Sequence, residues 1–333
     1  MSTEDTHRTI TADGVHHAAH RLAGNAIETP LIENEFLNDI AGGRVLVKAE
    51  VLQHCGSFKF RGAYNLVSKI PAQERQRGVL AWSSGNHAQG IARAARHFDT
   101  PATIIMPADT PDIKTEKVRA FGADIIPYDR YSEDREEIAK PIQKERNMIL
   151  APSYDHPDII EGQGTLALET VAQARNQNAE IDAFIICCGG GGLTSGCATI
   201  LEEISPKTEV WIAEPEGFDE TWASIKSGKR QRADITQRTI CDAIATPTPG
   251  RLTFPIMQRL VKGGVCLTEG DVAKAMLFAL KYLKLIVEPG GAVALAAILS
   301  GKYEAQGKVT AITLSGGNVD PTLFASLISR AQG

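Results

Sequence analysis

The sequence predicts an α/β protein with two open, largely parallel sheets facing a cleft. Two observations carry this. Short apolar, β-branched runs alternate with helix-period stretches along most of the 333 residues. Turns rich in glycine and serine directly follow several of those runs, at the strand ends where open parallel sheets place ligands. In chain order the strand runs are GRVLVKAEVL (43–52), GVLAWSS (78–84), ATIIMP (102–107), ADIIPYD (123–129), NMILAPSY (147–154), IDAFIICC (181–188), EVWIAEP (209–215) and KVTAITLS (308–315). The helical patterns between them include NHAQGIARAARHF (86–98), DIKTEKVRAFG (112–122), GTLALETVAQARN (164–176) and GDVAKAMLFALKYL (270–283). Two strand-helix series separate, around 75–152 and from around 180 onward, and no internal repeat or long linker interrupts them.

Composition narrows the class. Hydrophobic residues make up 43% and charged residues 23%, with a net charge of −5, so no basic surface for nucleic acid or membrane is expected. No apolar run reaches the ~18 residues of a membrane helix. The start, MSTEDTHRTITADG, is polar and acidic, without the apolar stretch of a secretory signal. Six cysteines show no C-x-x-C spacing, which suits a reducing, cytoplasmic setting rather than a disulfide or zinc framework.

Five stretches carry chemistry. In GSFKFRGA (56–63), Lys59 sits between Phe58 and Phe60. Either a helix starts at Ser57 with Lys59 on its polar face, or the apolar surroundings hold the amine near neutrality for use as a nucleophile or base. FIICCGGGGLTSG (184–196) runs a strand through Gly189, Gly190, Gly191 and Gly192 into a helix that begins around Leu193. Such backbone approaches a ligand closely and aims N–H groups at an anion, most naturally phosphate, yet it fits neither the dinucleotide fingerprint nor the P-loop. SSGNHAQG (83–90) offers Ser83, Ser84, Gly85 and Asn86 at a helix start, for a carboxylate or phenolic oxygen or as a plain N-cap; His87 reads as a packed residue. TLSGGNVD (313–320) presents Ser315 at a strand end, and EPGGAVALAA (288–297) places Glu288 before a Pro-initiated helix, as an ordinary N-terminal acid would sit.

Taken in order, GSFKFRGA, SSGNHAQG, GQGT (162–165), GGGG, EPGGA and LSGGN resemble the fold-type II pyridoxal-phosphate (PLP) enzymes, specifically the threonine/serine dehydratase and serine racemase group, over nearly the whole chain. The resemblance implies a large cofactor-binding domain from residues 1–70 and 154–333, a small mobile domain at 71–153, and the cofactor in the cleft between them. It implies a Schiff base at Lys59, Phe58 beside the ring, Asn86 on the 3-oxygen, Gly189–Leu193 around the phosphate and Ser315 at the pyridine nitrogen. A serine there leaves that nitrogen largely neutral, which favours β-elimination over a fully developed carbanion. Ser83, Ser84, Gly85, Asn86 and His87 would surround the substrate carboxylate, with Ser84 also a second acid/base opposite Lys59. Arg135 matches an arginine that reaches a substrate-side carboxylate, or it is a surface partner of Glu133 or Glu137. Glu214, the Phe218 carbonyl and Glu220 would form a site for Mg2+ or Ca2+, with Glu220 where an aspartate is familiar.

The implied activity is a PLP-dependent ammonia-lyase converting L-threonine or L-serine to a 2-oxo acid and ammonia, in a cytoplasmic homodimer of catabolic type. Alternatives are a serine or aspartate-type racemase, a 3-hydroxyaspartate dehydratase, a β-replacement synthase and, from a different class, a non-catalytic phosphate-ligand sensor. Ala243, Tyr154 and Glu161 depart from the group's usual pattern and bear on the substrate more than on the cofactor.

Overall fold

A computed structural model describes residues 8–332 other than Ser84, Pro111, Arg130 and Ile235. The strands are β1 (Leu31–Glu33), β2 (Arg44–Ala49), β3 (Val79–Trp82), β4 (Ala102–Pro107), β5 (Asp124–Tyr128), β6 (Ile149–Leu150), β7 (Ala183–Cys187), β8 (Glu209–Pro215), β9 (Val261–Leu267) and β10 (Val309–Leu314). They form a six-stranded sheet, β1-β2-β10-β7-β8-β9, and a four-stranded sheet, β5-β4-β3-β6. Every pairing is parallel except that of the edge strand β1 with β2. The fold is thus α/β with two open parallel sheets, one carrying an antiparallel edge.

Every strand expected from the sequence is present, some of them shorter, and two were not foreseen. β1 has only three residues. β9, VKGGVCL, was hidden by Gly263 and Gly264, which lower strand propensity. A Cβ on Gly263 would stand 2.3 Å from the Trp211 ring, and one on Gly264 would stand 2.6 Å from Trp222. These glycines therefore seat two indoles against the sheet. β6 is shorter than expected because the chain after Leu150 leaves the sheet and carries Ser153 and Tyr154 into the cleft.

One apolar core surrounds the larger sheet, with Val47, Phe184, Ile186, Ile212 and Ile312 from its strands and Ala292–Ile298 from the covering helix Pro289–Leu299. A second surrounds the smaller sheet and includes Val79, Ala81, Ile91, Ile104 and Met106. The helix Lys59–Ser68 joins them: Phe58, just before it, packs in the first core, whereas Phe60, Ala63 and Leu66 pack in the second. Lys59 stands at that junction. Two contacts fix the helix that carries GQGT, Pro157–Asn176. A Cβ on Gly162 would lie 2.6 Å from Gly62 Cα, and one on Gly164 would lie 2.6 Å from the Gly196 carbonyl. Bare backbone at both points lets one helix lie close to the helix of Lys59 and to the helix behind the four glycines (Gly192–Ile204).

Candidate active site

Lys59 opens its helix, so the helix start expected at Ser57 is corrected to Lys59: Ser57 is extended and bridges to Gly316. The Phe58 N–H donates to the Ser315 carbonyl at 3.1 Å, which ties this segment to the end of β10. Lys59 Nζ donates to the Ser153 carbonyl at 2.8 Å and lies 5.2 Å from the centre of the Phe58 ring. Burial pulls its ammonium down to about 8, with Cys187 and Glu288 only partly offsetting this. A much larger fraction of the amine is therefore neutral near physiological pH than for an exposed lysine.

The glycine loop lies at the C-terminal end of β7. Among the described residues, the N–H groups of Gly189, Gly190, Gly191, Gly192 and Leu193 meet no acceptor. The loop's carbonyls are occupied: Gly190 accepts from the Thr253 hydroxyl at 2.7 Å, and Gly189 from the Thr221 hydroxyl at 2.9 Å. Gly191 has φ +89°, and Tyr154 packs so closely that a Cβ on Gly190 would stand 2.4 Å from its ring. Free N–H groups at a helix N-terminus, with no side chain in the way, fit a phosphate.

Opposite the loop, the helix Asn86–His97 starts from Gly85 with no side-chain cap, so Asn86 is not a plain N-cap. Its Nδ2 donates to Glu288 Oε1 at 2.5 Å, and its Oδ1 accepts from Asn318 Nδ2 at 2.8 Å. The Ser83 hydroxyl accepts from the Gly85 N–H at 3.2 Å. Ser84 lies outside the described residues. His87 is buried and hydrogen-bonded through Nε2 to the Ala151 carbonyl at 2.8 Å; burial first, then Lys59, lowers it to about 3, so it stays neutral.

Phe58, Lys59, Ser83, Gly85, Asn86, His87, Arg135, Gly189–Leu193 and Ser315 all line one cleft. Arg135 has no ion pair or hydrogen bond among the described residues; Glu137 pairs with Lys140, and Glu133 accepts from the Asp129 N–H. The surface role for Arg135 is not what the structure shows. Ser315 faces the Cys187 thiol at the cleft floor. Three features of the cleft were not singled out for it by sequence. Lys114 lines it and pairs with Asp242 at 3.0 Å, and Ser153 enters through its carbonyl, which no side-chain pattern signals. Glu288 is the third: expected as an ordinary N-terminal acid, it makes no cap and turns to Asn86. Burial first, then Asp242, pushes its carboxyl up to about 7.

Glu214, Phe218 and Glu220 lie behind the cleft rather than in it. Glu214 accepts from the Thr221 and Trp222 N–H groups at 3.2 and 2.8 Å, and burial together with Glu220 raises its pKa well above the usual range. Glu220 Oε1 accepts from the Thr246 hydroxyl at 2.9 Å, while the buried Oε2 has no partner; burial raises this carboxyl to about 7. Among the described residues, no group of three or more His, Cys, Asp or Glu could hold a metal.

The family model of the pyridoxal-phosphate dependent enzymes matches residues 22–316. The chain belongs to that family. The enzyme is 40% identical to the L-threo-3-hydroxyaspartate ammonia-lyase of Pseudomonas sp, over 93% of this chain and 96% of that one. It is 37% identical to the serine racemase of Schizosaccharomyces pombe, over 96% and 98%. Its structure matches that of the T.th. threonine deaminase with a TM-score of 0.88 at 37% identity, over 93% of this chain and 99% of that one. The cofactor is pyridoxal 5'-phosphate, as the cradle, the buried lysine with its lowered pKa and the family agree. No helix among the described residues is long and apolar enough to cross a membrane.

Proposed function

We propose that the enzyme is an ammonia-lyase for 3-hydroxy amino acids and that its preferred substrate is the dicarboxylate 3-hydroxyaspartate rather than L-threonine or L-serine. The observation that carries the preference is Arg135, a guanidinium lining the cleft without a partner among the described residues. A second substrate carboxylate supplies the bidentate acceptor that such a group lacks. The ammonia-lyase relative from Pseudomonas, whose name specifies L-threo-3-hydroxyaspartate, supports the same reading.

Bound PLP supplies electron withdrawal from the Cα of an amino acid joined to it. The chain supplies the rest. Gly189–Leu193 hold the phosphate, Ser315 meets the pyridine nitrogen and Asn86 meets the ring oxygen. Ser83, Gly85 and Asn86 orient the α-carboxylate. Lys59 Nζ would take the proton from Cα, and the ammonium so formed would protonate the β-hydroxyl, which would leave as water. The enamine that departs hydrolyses to a 2-oxo acid and ammonia. For 3-hydroxyaspartate the products are oxaloacetate and ammonia.

Release of 2-oxo acid from 3-hydroxyaspartate isomers, L-threonine and L-serine by the purified holoenzyme is the test. A kcat/KM highest for a 3-hydroxyaspartate isomer is expected. Higher values for threonine or serine would return the reading to a threonine/serine lyase, and inversion at Cα without 2-oxo acid would make the enzyme a racemase.

The same reading extends to three further features. Glu214, the Phe218 carbonyl and Glu220 hold Mg2+ or Ca2+, supported by the partnerless Glu220 Oε2 and by the closeness of the two buried carboxyls. Chelator treatment that changes neither activity nor melting temperature would remove the cation. Residues 71–153 move as a unit against 1–70 and 154–333. The protein is a cytoplasmic homodimer, supported by six unpaired cysteines and by exposed Phe36, Ile40, Tyr282 and Ile286, with the Phe36 and Tyr282 rings 5.2 Å apart.

A further inference from the structure

Glu288 and Asn318 have no task in the chemistry above, yet both are fastened to Asn86. The order of the hydrogen bonds is determined, because each amide's orientation follows from a neighbour that can act in only one way. The Cys55 carbonyl can only accept, and it lies 2.6 Å from Asn318 Nδ2, so the amide nitrogen of Asn318 must be on that side. The same nitrogen then presents a proton to Asn86, 2.8 Å away, which requires Asn86 to turn its oxygen there. Lys117 Nζ, which can only donate, meets Asn318 Oδ1 at 2.9 Å and enforces the same orientation from the far side. Asn86 must therefore point its nitrogen the other way, where Glu288 Oε1 accepts at 2.5 Å.

The acceptor at the end of this chain is firmly held. Glu288 is 3% exposed, its N–H donates to the Gly316 carbonyl at 3.0 Å, and its carboxylate occupies the space a side chain on Gly316 would need, 2.1 Å from the position of a Cβ. Lys117, Asn318, Asn86 and Glu288 thus form one polarised series running from the surface to the cleft. Asn86 Nδ2 carries two protons, of which Glu288 takes one.

We propose that Glu288 and Asn318 are positioning residues that lock the Asn86 amide with its remaining N–H free for the cleft, so that Asn86 acts there only as a donor, toward an anionic ring oxygen of the cofactor. The proposal rests on the assignment of Asn86 to that oxygen. A locked donor favours the ionised ring oxygen and with it the long-wavelength absorbance band of the resting holoenzyme; a freely turning amide would not discriminate. Lys59, Cys187, Cys241, Asp242 and Lys114 are the other titratable groups around Glu288, so spectra are compared at one pH.

The test uses purified holoenzyme and reads the ratio of long- to short-wavelength bands together with borohydride labelling of Lys59. Asn318→Asp replaces the donor by a carboxylate that repels Asn86 Oδ1, and Glu288→Ala removes the acceptor. Each is expected to lower the band ratio by about tenfold, the effect of one charge-assisted hydrogen bond, while Lys59 is still labelled. Glu288→Gln retains an acceptor oxygen and is expected to stay within about twofold of the unaltered enzyme. Band ratios unchanged in Asn318→Asp or Glu288→Ala, with Lys59 labelled, overturn the proposal alone; either variant suffices if the other does not fold. No label at Lys59 in the unaltered enzyme would overturn the reading of the cleft, and this proposal with it.

Discussion

Lys48 and Lys59 are two lysines drawn away from bulk water near one another in the chain, and the contrast between them separates a structural charge from a reactive one. Lys48 Nζ donates to Glu169 Oε2 at 2.7 Å, Gln173 Oε1 at 2.9 Å and the Thr29 carbonyl at 2.7 Å, so all three N–H groups are used. Glu169 and Glu50 also flank Arg61, which is fully buried and bonded to both. Burial alone would raise the Glu50 carboxyl, but Arg61 more than offsets this and leaves it below the usual range. Lys59, two residues before Arg61, has one neutral acceptor and an aromatic face. Burial lowers both ammoniums, but Glu169 and Glu50 oppose it at Lys48, where every donor is filled, whereas Lys59, with a single carbonyl, falls to about 8. One helix keeps the two regions apart, because Lys59 turns to the cleft and Arg61 to the ion network.

Removing the reactive member should produce the largest effect. Lys59→Ala is expected to lower turnover by at least ~10³-fold and to abolish borohydride labelling, with no loss of melting temperature. An active Lys59→Ala enzyme would erase the distinction. Arg61→Met tests the other side: it leaves the buried Glu50 without its ion-pair partner and Glu169 with Lys48 alone, and should cost about 3–5 kcal/mol in denaturant unfolding, with the absorbance of the folded holoenzyme unchanged. Arg135→Ala should lower kcat/KM for 3-hydroxyaspartate by ~10- to 100-fold and leave that for L-serine within about threefold, the loss of a charge-assisted pair. Equal losses for both substrates would show that Arg135 does not read the second carboxylate.

The smallest effect concerns pH. In the cofactor-free protein the folded value of Glu288, about 7, lies above its ordinary 4.5. Between these values the folded state binds more protons than the unfolded one, so stability falls as pH rises through that window. Glu288→Gln removes the cost; it should match the unaltered protein near pH 4.5 and exceed it by on the order of 2 kcal/mol above pH 7. A constant offset at all pH values would mean that Glu288 does not titrate there.

Much of this was legible in the sequence, because the signals are local. Eight strands announced themselves by β-branched runs, and the four glycines after β7 read as a place of close backbone approach to an anion rather than a plain flexible turn. GQGT was legible as a motif but not as physics, since its glycines matter for helices that meet Gly62 and Gly196 from distant parts of the chain. β9 was masked for the same reason: what makes Gly263 and Gly264 suitable is a pair of tryptophans that only the folded sheet brings near. Of Lys59, the octapeptide left two readings open, a solvated helix residue or a neutral amine. Only the packed chain decided between them, because the pKa of an amine depends on which groups surround it in space. Those groups are the Ser153 carbonyl, Cys187 and Glu288, which come from three separate segments. Local propensity and backbone freedom are properties of neighbours in sequence; desolvation, charge and the direction in which an amide points belong to neighbours in space.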